Sequence, residues 1–359
     1  MASIDKSVAV RDGEELPHDA LLAYLNEHLP HLEGPLTVEQ FPSGFSNLTY
    51  LLRIGDHELV LRRPPIGAKI KTAHDMWREH RILVHLYQVY PKVPRPILFC
   101  DDESVLGAPF YLMERVWGII LRAEPPRGVD LSPETMRRLS EVFVDTLAEI
   151  HGVDYEAAYL ADLGSPQGYV KRQIEGWTRR YQNARTDDVP EVEQLATWLH
   201  EHLPPDSTPG ALIHNDYKYD NLVLSPDDLT RVVAVLDWEM ATIGDPLMDL
   251  GTALGYWVEP TDPEEWQQYG FVMTKLPGNF TRRELLDHYC RRTGRQVRDP
   301  VFYYAYGLLK IAGIVQQIYA RYQRGLTKDP RFAGLGALVK ACGRLAQRAI
   351  ETNRIDRLG

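Results

Sequence analysis

The first residues of this sequence that could perform chemistry flank a segment of two short apolar runs joined by a turn. The runs cover residues 222–224 and 232–236, and the segment between them, 225–228, has residue types that favour turns. We therefore predict an antiparallel β-hairpin. Asn221 precedes the first run and Asp237 follows the second, so the hairpin brings both to its open end. Their side-chain oxygens suit Mg²⁺, which takes few protein ligands together with substrate phosphates.

Two charged residues lie on the loop that leads into this hairpin. Asp216 is five residues before Asn221, where a carboxylate could orient an acceptor hydroxyl and take its proton. Lys218 could neutralise charge on a phosphoryl group during its transfer. Metal ligands, a positioned acceptor and cationic stabilisation are the parts that phosphoryl transfer needs. For His214, on the same loop, a packed or hydrogen-bonded side chain is the favoured interpretation.

The elements that must position these residues change in character along the chain. Apolar residues at helical spacing predict one helix within residues 17–32 and another from Thr72 onwards. Three short strands are predicted between residues 38 and 65, and two more at 97–102 and 109–116. Helical patterns dominate after Gly118, at 133–151, 166–183, 190–203, 263–269, 281–293, 299–324 and 331–353. We therefore predict an α+β fold with a sheet-rich lobe at 1–115 and a mainly helical lobe at 116–359.

The order of the chemical residues resembles a known catalytic core. The pattern His214-x-Asp216-x-Lys218-x-x-Asn221, followed sixteen residues later by Asp237, is similar to that of protein-kinase-like enzymes. The forms His-Asn-Asp-Tyr, Leu-Asp-Trp-Glu and Gly-Asp-Pro-Leu-x-Asp-Leu look like those of the aminoglycoside phosphotransferase family. More narrowly, they resemble the branch found fused to, or near, acyl-CoA dehydrogenases. The resemblance spans roughly residues 35–255.

This resemblance implies a bilobal protein-kinase-like fold, with a small antiparallel sheet in the N-lobe and a larger helical C-lobe, and the use of ATP and Mg²⁺. It implies that Asp216 is the catalytic base, whereas the phosphoryl contact proposed for Lys218 depends on its residue type, and a surface lysine is the alternative. Asn221 and Asp237 are the implied Mg²⁺ ligands. His214 is implied as a brace for the catalytic loop, and Asp249 as its helix-borne anchor.

The resemblance also implies a nucleotide site in the N-lobe. Arg62 stands at the position of the phosphate-binding lysine, and Glu79 matches the glutamate that pairs with it. Strand alternation puts Val60 on the same face as Arg62, where a small apolar residue suits the adenine. Residues near the predicted junction of the lobes are included because ligands tend to bind at such junctions. The complete nucleotide set is Ser43, Gly44, Phe45, Ser46, Val60, Arg62, Glu79, Glu114 and Val116.

The amino-acid composition limits the classes of partner and the compartment that we expect for this protein. The net charge of −10 argues against nucleic acid, whose phosphates require a basic face. The three cysteines are far apart and lack metal-ligand spacing, which is typical of a reducing compartment. The N-terminus lacks the apolar core of a signal peptide, and no apolar run is long enough to span a bilayer, so we expect a cytoplasmic protein without a membrane partner. The oligomeric state is left open.

Several interpretations stay open at this point. The acceptor is expected to be a small-molecule hydroxyl, on a hydroxy acid or hydroxyacyl-CoA by the narrower branch, or on an aminoglycoside or amino alcohol by the broader family. The residues Ser43, Gly44, Phe45 and Ser46 form the predicted phosphate loop, which contains a single glycine. This single glycine and Arg62 also suit a nucleotide-binding pseudokinase. A metal-dependent hydrolase using His214, Asp216 and Asp237 is a third possibility. Four aromatic residues could line an acceptor pocket, although core packing is the favoured interpretation for each: Trp177, Tyr181, Tyr256 and Trp257.

Overall fold

The structure is a computed structural model that describes residues 6–42, 47–65, 75–122, 124–126, 128–205, 209–268, 272–327 and 329–359. Its strands are β1 (Leu36–Gln40), β2 (Leu48–Ile54), β3 (His57–Arg63), β4 (Pro96–Cys100), β5 (Phe110–Glu114), β6 (Ala211–Ile213), β7 (Leu222–Leu224), β8 (Val232–Val235) and β9 (Thr242–Gly244). Its α-helices are α1 (His18–His28), α2 (Met76–Leu86), α3 (Glu103–Leu106), α4 (Pro133–His151), α5 (Tyr169–Ala184), α6 (Pro190–Glu201), α7 (Pro246–Tyr256), α8 (Glu264–Gln267), α9 (Arg282–Thr293), α10 (Pro300–Gln323) and α11 (Leu335–Thr352).

The chain forms two compact units. The first runs to Ile120 and also contains Ala158–Leu160 and Asn221–Met240, and the second contains the remainder. The end of the first unit at Ile120 lies close to the lobe boundary expected after residue 115. The β7–β8 hairpin, which the sequence analysis placed in the C-lobe, groups with the sheet of the first unit. The assignment of functions to two lobes therefore stays a prediction.

A five-stranded antiparallel sheet forms the centre of the first unit, in the order β1-β2-β3-β5-β4. One face of the sheet shares a hydrophobic core with α1, and this core includes Leu25, Leu59 and Leu61. Because side chains alternate along a strand, Val60 and Arg62 lie on the opposite face of β3. The sheet therefore holds a cation, Arg62, which is only 8% exposed.

Helix α10 is the central element of the second unit and packs against α5, α6, α7 and α11. It crosses α7 where two glycines meet. A Cβ atom on Gly251 would lie 2.1 Å from the Tyr303 carbonyl oxygen, and one on Gly307 would lie 2.1 Å from the Gly251 carbonyl oxygen. Only glycine permits this approach, so the crossing holds the two helices at a close separation.

The predicted fold class is confirmed: an antiparallel sheet dominates the first part of the chain and helices dominate the second. Asp245 is the N-cap of α7, since its side chain accepts a hydrogen bond of 2.8 Å from the Leu247 amide at the start of that helix. The predicted start of the second helix at Thr72 lies outside the described residues, and the described helix begins at Met76. In the described ranges, no helix has both the length and the apolar character that crossing a bilayer requires.

The short ladder between β6 and β9 was not predicted. It pairs Ala211–Ile213 with Thr242–Gly244 in antiparallel register. Each strand has only three residues, which is too few for an alternating pattern to show in the sequence. The ladder matters because the predicted catalytic loop begins directly after β6.

Candidate active site

The hairpin of β7 and β8 brings Asn221 and Asp237 to its open end. Leu222 pairs with Val235, and the Leu236 amide donates a hydrogen bond of 2.8 Å to the Asn221 carbonyl oxygen. Asp237 follows directly with a φ of +68°, after which Trp238–Met240 form a 3₁₀ turn. Backbone pairing therefore sets Asn221 opposite the residue that precedes Asp237.

Arg62 lies at the centre of a cluster of carboxylates in the first unit. Its Nη1 donates to Glu79 Oε1 at 2.9 Å, and its Nη2 donates to Asp237 Oδ1 at 3.1 Å. The same Nη2 lies 3.5 Å from Glu239 Oε2. Because Glu79 is on α2 and Asp237 follows the hairpin, one guanidinium group ties three separate elements together.

Burial and charge act in opposite directions on the pKa values of this cluster. Burial lowers the pKa of Arg62, but the nearby carboxylates, Glu79 foremost, raise it well above its ordinary value. Burial raises the pKa of Glu79, and Arg62 opposes that shift. Glu79 is 2% exposed, so it depends on Arg62 for its stabilisation as an anion.

Glu239 connects the cluster to the segment that follows the predicted phosphate loop. Its Oε2 accepts a hydrogen bond of 2.7 Å from Asn47 Nδ2, and its carbonyl oxygen accepts one of 3.0 Å from Arg78 Nη1. Arg78 was not predicted for the site from the sequence. The loop residues Ser43, Gly44, Phe45 and Ser46 lie outside the described residues.

The other predicted nucleotide residues lie along β3 and β5. Val60 is buried beside Met113 of β5, on the sheet face that carries Arg62. Glu114 ends β5 with an exposed side chain that pairs with Arg95 at 3.0 Å. Val116 lies two residues after Glu114 and is half-buried.

In the second unit, Asp249 of α7 holds the start of the predicted catalytic loop, which begins at His214 and ends at Asn221. Its Oδ2 accepts the His214 amide at 2.7 Å, and its Oδ1 accepts the Asn215 amide at 2.8 Å. The same carboxylate contacts His151 Nε2 at 3.1 Å. The His214 ring is fully buried, and its Nδ1 accepts the Asp216 amide at 3.2 Å. The imidazole therefore holds the backbone of the loop.

Asp216 and Lys218 form a direct ion pair, with 2.6 Å between Lys218 Nζ and Asp216 Oδ2. Both side chains are mostly buried, at 14% and 20% exposure for Asp216 and Lys218 respectively. Lys218 Nζ also lies 4.9 Å from the centre of the Tyr256 ring. A carboxylate and an ammonium group are thus held together on one short loop, as a proton acceptor and a phosphoryl contact would be.

The four aromatic candidates mostly pack inside the second unit. Trp177, Tyr181 and Trp257 are 6%, 1% and 1% exposed, and Tyr256 is half-buried. Core packing was the favoured interpretation and holds for the first three. Sequence reasoning missed two residues around the catalytic loop, His151 and Lys310. The signal for Lys310 was that it is the only charged residue between positions 300 and 320 of the helix predicted at 299–324, whereas His151 carried none.

Groups of three or more His, Cys, Asp or Glu side chains that could hold a metal are absent from the described residues. The donor set of Asn221 and Asp237 is one amide and one carboxylate. This set fits Mg²⁺, which keeps several waters and completes its shell with substrate phosphates rather than with an all-protein cage.

Comparison with known sequences gives a family model and several relatives. The sequence model of a family described as the phosphotransferase enzyme family matches residues 37–297. Human acyl-CoA dehydrogenase family member 11 is 38% identical over 312 residues, which are 85% of this chain and 39% of that protein. The chain thus spans about two-fifths of the length of this relative.

Solved structures give a consistent result. A putative aminoglycoside phosphotransferase from Ralstonia eutropha JMP134 is 32% identical, with a TM-score of 0.76, covering 93% of this chain and 99% of that chain. A ternary complex of aminoglycoside phosphotransferase APH(4)-Ia with AMP-PNP and hygromycin B is 15% identical, with a TM-score of 0.57, covering 90% and 98%. At 15% identity the second structure shows a shared fold only.

Proposed function

Because this chain belongs to the phosphotransferase enzyme family, we propose that it is a kinase that transfers the γ-phosphoryl group of ATP to a hydroxyl group of a small molecule. In this reaction the acceptor oxygen bonds to the γ-phosphorus, and the bond from that phosphorus to the β,γ-bridging oxygen breaks. ADP leaves, and the hydroxyl proton passes to a base. Nucleotide use is supported by the family and by the AMP-PNP complex of APH(4)-Ia, which has the same fold.

The observation that carries this proposal is the contact of Arg62 with both Glu79 and Asp237. Phosphoryl transfer in protein kinases uses a cation for the phosphates, a glutamate that pairs with the cation, and a metal-binding carboxylate. We assign these roles to Arg62, Glu79 and Asp237. Ser43, Gly44, Phe45 and Ser46 are assigned to the phosphates, and Val60, Glu114 and Val116 to the adenosine part of ATP.

Asn221 and Asp237 are the proposed holders of Mg²⁺. When bound, the ion neutralises charge on the β- and γ-phosphates. Asp237 then has two tasks, because its Oδ1 already accepts from Arg62. A carboxylate has two oxygens and about four lone-pair sites, so it can serve a guanidinium and a metal together.

Asp216 is the proposed base for the acceptor hydroxyl, and Lys218 is the proposed contact to the transferring phosphoryl group. The Asp249 and His214 hydrogen bonds restrain the backbone on which Asp216 sits. Such restraint supports catalysis, since a misplacement of about 1 Å can lower a rate by about 100-fold.

For the acceptor, we propose a hydroxy acid or a hydroxyacyl-CoA. Support comes from the name of the human relative and from the charges in the second unit. Lys218 and Arg180 both lie close enough to Lys310 to lower its pKa by repulsion, so cations gather near Asp216. An anionic acceptor is attracted to such a region, whereas a polycationic aminoglycoside is repelled.

The experiment is an Mg-ATP consumption assay with hydroxyacyl-CoAs, hydroxy acids, amino alcohols, sugars and aminoglycosides as acceptors. Asp216→Asn should lower turnover by about 1,000-fold or more while ATP binding persists. Asp227→Asn, in the exposed hairpin turn, is the matched control and should match the wild type. Full activity of Asp216→Asn would remove Asp216 from the mechanism, and a preference for aminoglycosides would overturn the acceptor class.

A nucleotide-binding pseudokinase is the second candidate. The specific observation in its favour is that Arg62 already binds one oxygen of Asp237, a proposed metal ligand. Tight binding of Mg-ATP with no turnover across the whole acceptor panel would favour this candidate over the kinase.

A further inference from the structure

Lys310 is a buried cation next to the catalytic loop. It lies on α10, is 1% exposed, and donates hydrogen bonds to the Asn215 carbonyl oxygen at 2.5 Å and to Asn215 Oδ1 at 3.2 Å. Within the described residues it makes no ion pair. A buried ammonium group without a paired carboxylate is costly for folding, so its presence calls for a role other than stability.

Asn215 is held by hydrogen bonds through its amide, its carbonyl oxygen and its side chain. Its amide donates to Asp249, its carbonyl oxygen accepts from Lys310, and its side chain exchanges hydrogen bonds with the Tyr169 hydroxyl at 3.2–3.3 Å. Its φ is +67°, a left-handed conformation that a non-glycine residue keeps only where its surroundings enforce it. The peptide that accepts from Lys310 is the one that joins Asn215 to Asp216.

The glycine crossing of α7 and α10 determines where Lys310 stands. Gly251 and Gly307 hold the helices in contact. Asp249 is two residues from Gly251, and Lys310 is about one helical turn from Gly307. The crossing therefore fixes the position of the Asp249 carboxylate, which accepts from the Asn215 amide, and of the Lys310 ammonium group, which donates to the Asn215 carbonyl oxygen.

The charged groups that face Lys310 come from three elements. Asp249 of α7 and Asp216 of the catalytic loop attract its proton, whereas Lys218 of that loop and Arg180 of α5 repel it. Burial is the strongest influence and lowers the pKa of Lys310 to about 8. Lys310 is therefore still mainly protonated at pH 7 and loses its charge in mildly alkaline solution.

We propose that Lys310 is a positioning residue, which holds the Asn215–Asp216 peptide so that the Asp216 carboxylate is aimed at the acceptor hydroxyl. This proposal rests on the proposed kinase function. Lys310 acts through Asn215 and has no contact with substrate. Its charge also offsets the negative charge of Asp216 and Asp249 inside the unit.

The experiment compares Lys310→Met and Lys310→Arg with Gln316→Met. Gln316 is a matched control because it is also a buried polar residue of α10, but it binds Ala184 and Thr186 instead of the catalytic loop. Lys310→Met should lower kcat by about 10- to 100-fold with the KM of ATP within about twofold of the wild type. Its Tm should change by no more than about 3 °C, because removing a buried charge offsets the lost hydrogen bonds.

The pH profile separates positioning from packing. Wild-type kcat should fall as pH rises through about 8, where Lys310 loses its proton. That alkaline limb should be absent in Lys310→Met. It should move to higher pH in Lys310→Arg, because arginine stays protonated. An unchanged limb in Lys310→Met, or a kcat equal to that of Gln316→Met, would overturn the proposal.

A second measurement does not depend on activity. Hydrogen exchange of the amides at 213–218 should be at least about tenfold faster in Lys310→Met than in the wild type, and unchanged in Gln316→Met. Equal exchange in Lys310→Met and the wild type would refute the positioning role. If the wild type consumes no ATP with any acceptor, the kinase proposal fails, and the exchange experiment still decides whether Lys310 holds this peptide.

Discussion

Arg62 of β3 donates a hydrogen bond of 3.1 Å to Asp237, so the cation of the sheet and a proposed Mg²⁺ ligand are in direct contact. The other arm of the same guanidinium binds Glu79 at 2.9 Å. A lysine has a single point charge and cannot make this forked arrangement. The arginine therefore links the helix-borne glutamate to the end of the hairpin, which bears on both stability and nucleotide binding.

Removing Arg62 should destabilise the protein strongly. Arg62→Met leaves Glu79 buried without its cation, and breaking a buried ion pair in this way costs about 3–5 kcal/mol in the free energy of unfolding. The double variant Arg62→Met/Glu79→Met should recover most of this loss, because it also removes the fully buried carboxylate, whereas Asp237 and Glu239 are partly exposed. Neither variant should bind ATP tightly. Urea unfolding and calorimetric titration with ATP check these outcomes, and a double variant as unstable as the single one contradicts them.

The bond from Asn47 to Glu239 should affect nucleotide binding more than turnover. Asn47 follows the predicted phosphate loop, and its 2.7 Å hydrogen bond to Glu239 ties that segment to the carboxylate cluster. Asn47→Ala should raise the KM of ATP by about 10- to 150-fold, which corresponds to the loss of about 1.5–3 kcal/mol expected for a hydrogen bond to a charged group. Steady-state kinetics at varied ATP provides the measurement.

Glu239→Gln is the matched test for the same bond. Its amide oxygen can still accept from Asn47, so it should raise the KM of ATP less than Glu239→Ala does. Equal effects of the two substitutions would show that the carboxylate charge, and not the hydrogen bond to Asn47, is what matters.

Turnover should require a divalent cation held by Asp237 and Asn221. Chelation with EDTA should abolish activity, and added Mg²⁺ should restore it. Asp237→Asn should raise the Mg²⁺ concentration for half-maximal activity by about tenfold or more, since it removes the charged ligand. Asp228→Asn, in the exposed hairpin turn, should leave it unchanged. A Mg²⁺ requirement unaltered in Asp237→Asn would exclude this residue as a ligand.

Lys310 should make stability depend on alkaline pH. Its pKa is lowered to about 8 in the folded protein, against about 10.4 for an unfolded lysine. Between these values the unfolded chain binds a proton that the folded one does not, so the free energy of unfolding rises with pH. Relative to Lys310→Met, the wild type should gain about 1 kcal/mol per pH unit from pH 8 to 10. Urea unfolding at pH 7, 8.5 and 10 measures the difference, and a constant difference speaks against the lowered pKa.

Local sequence patterns account for the structural features that the sequence alone predicts. The hairpin that carries Asn221 and Asp237 and the alternation that puts Val60 beside Arg62 each depend on residues close together in the chain. The pairing of Arg62 with Glu79 was implied by the family resemblance, and the structure places the two in contact. The assigned roles of these residues stay predictions until they are tested.

Contacts between distant segments could not be read in this way. Asn47 binds Glu239 across 192 positions, and Lys310 binds Asn215 across 95. No spacing rule connects such positions, because their meeting depends on how sheets and helices pack. The sequence by itself determined which residues could carry phosphoryl transfer and on which elements they lie. Only the tertiary structure decided that Arg62 contacts three carboxylates. It alone also decided that the α7–α10 crossing places Lys310 next to the loop that carries Asp216. Both arrangements depend on packing between elements that lie far apart in the chain.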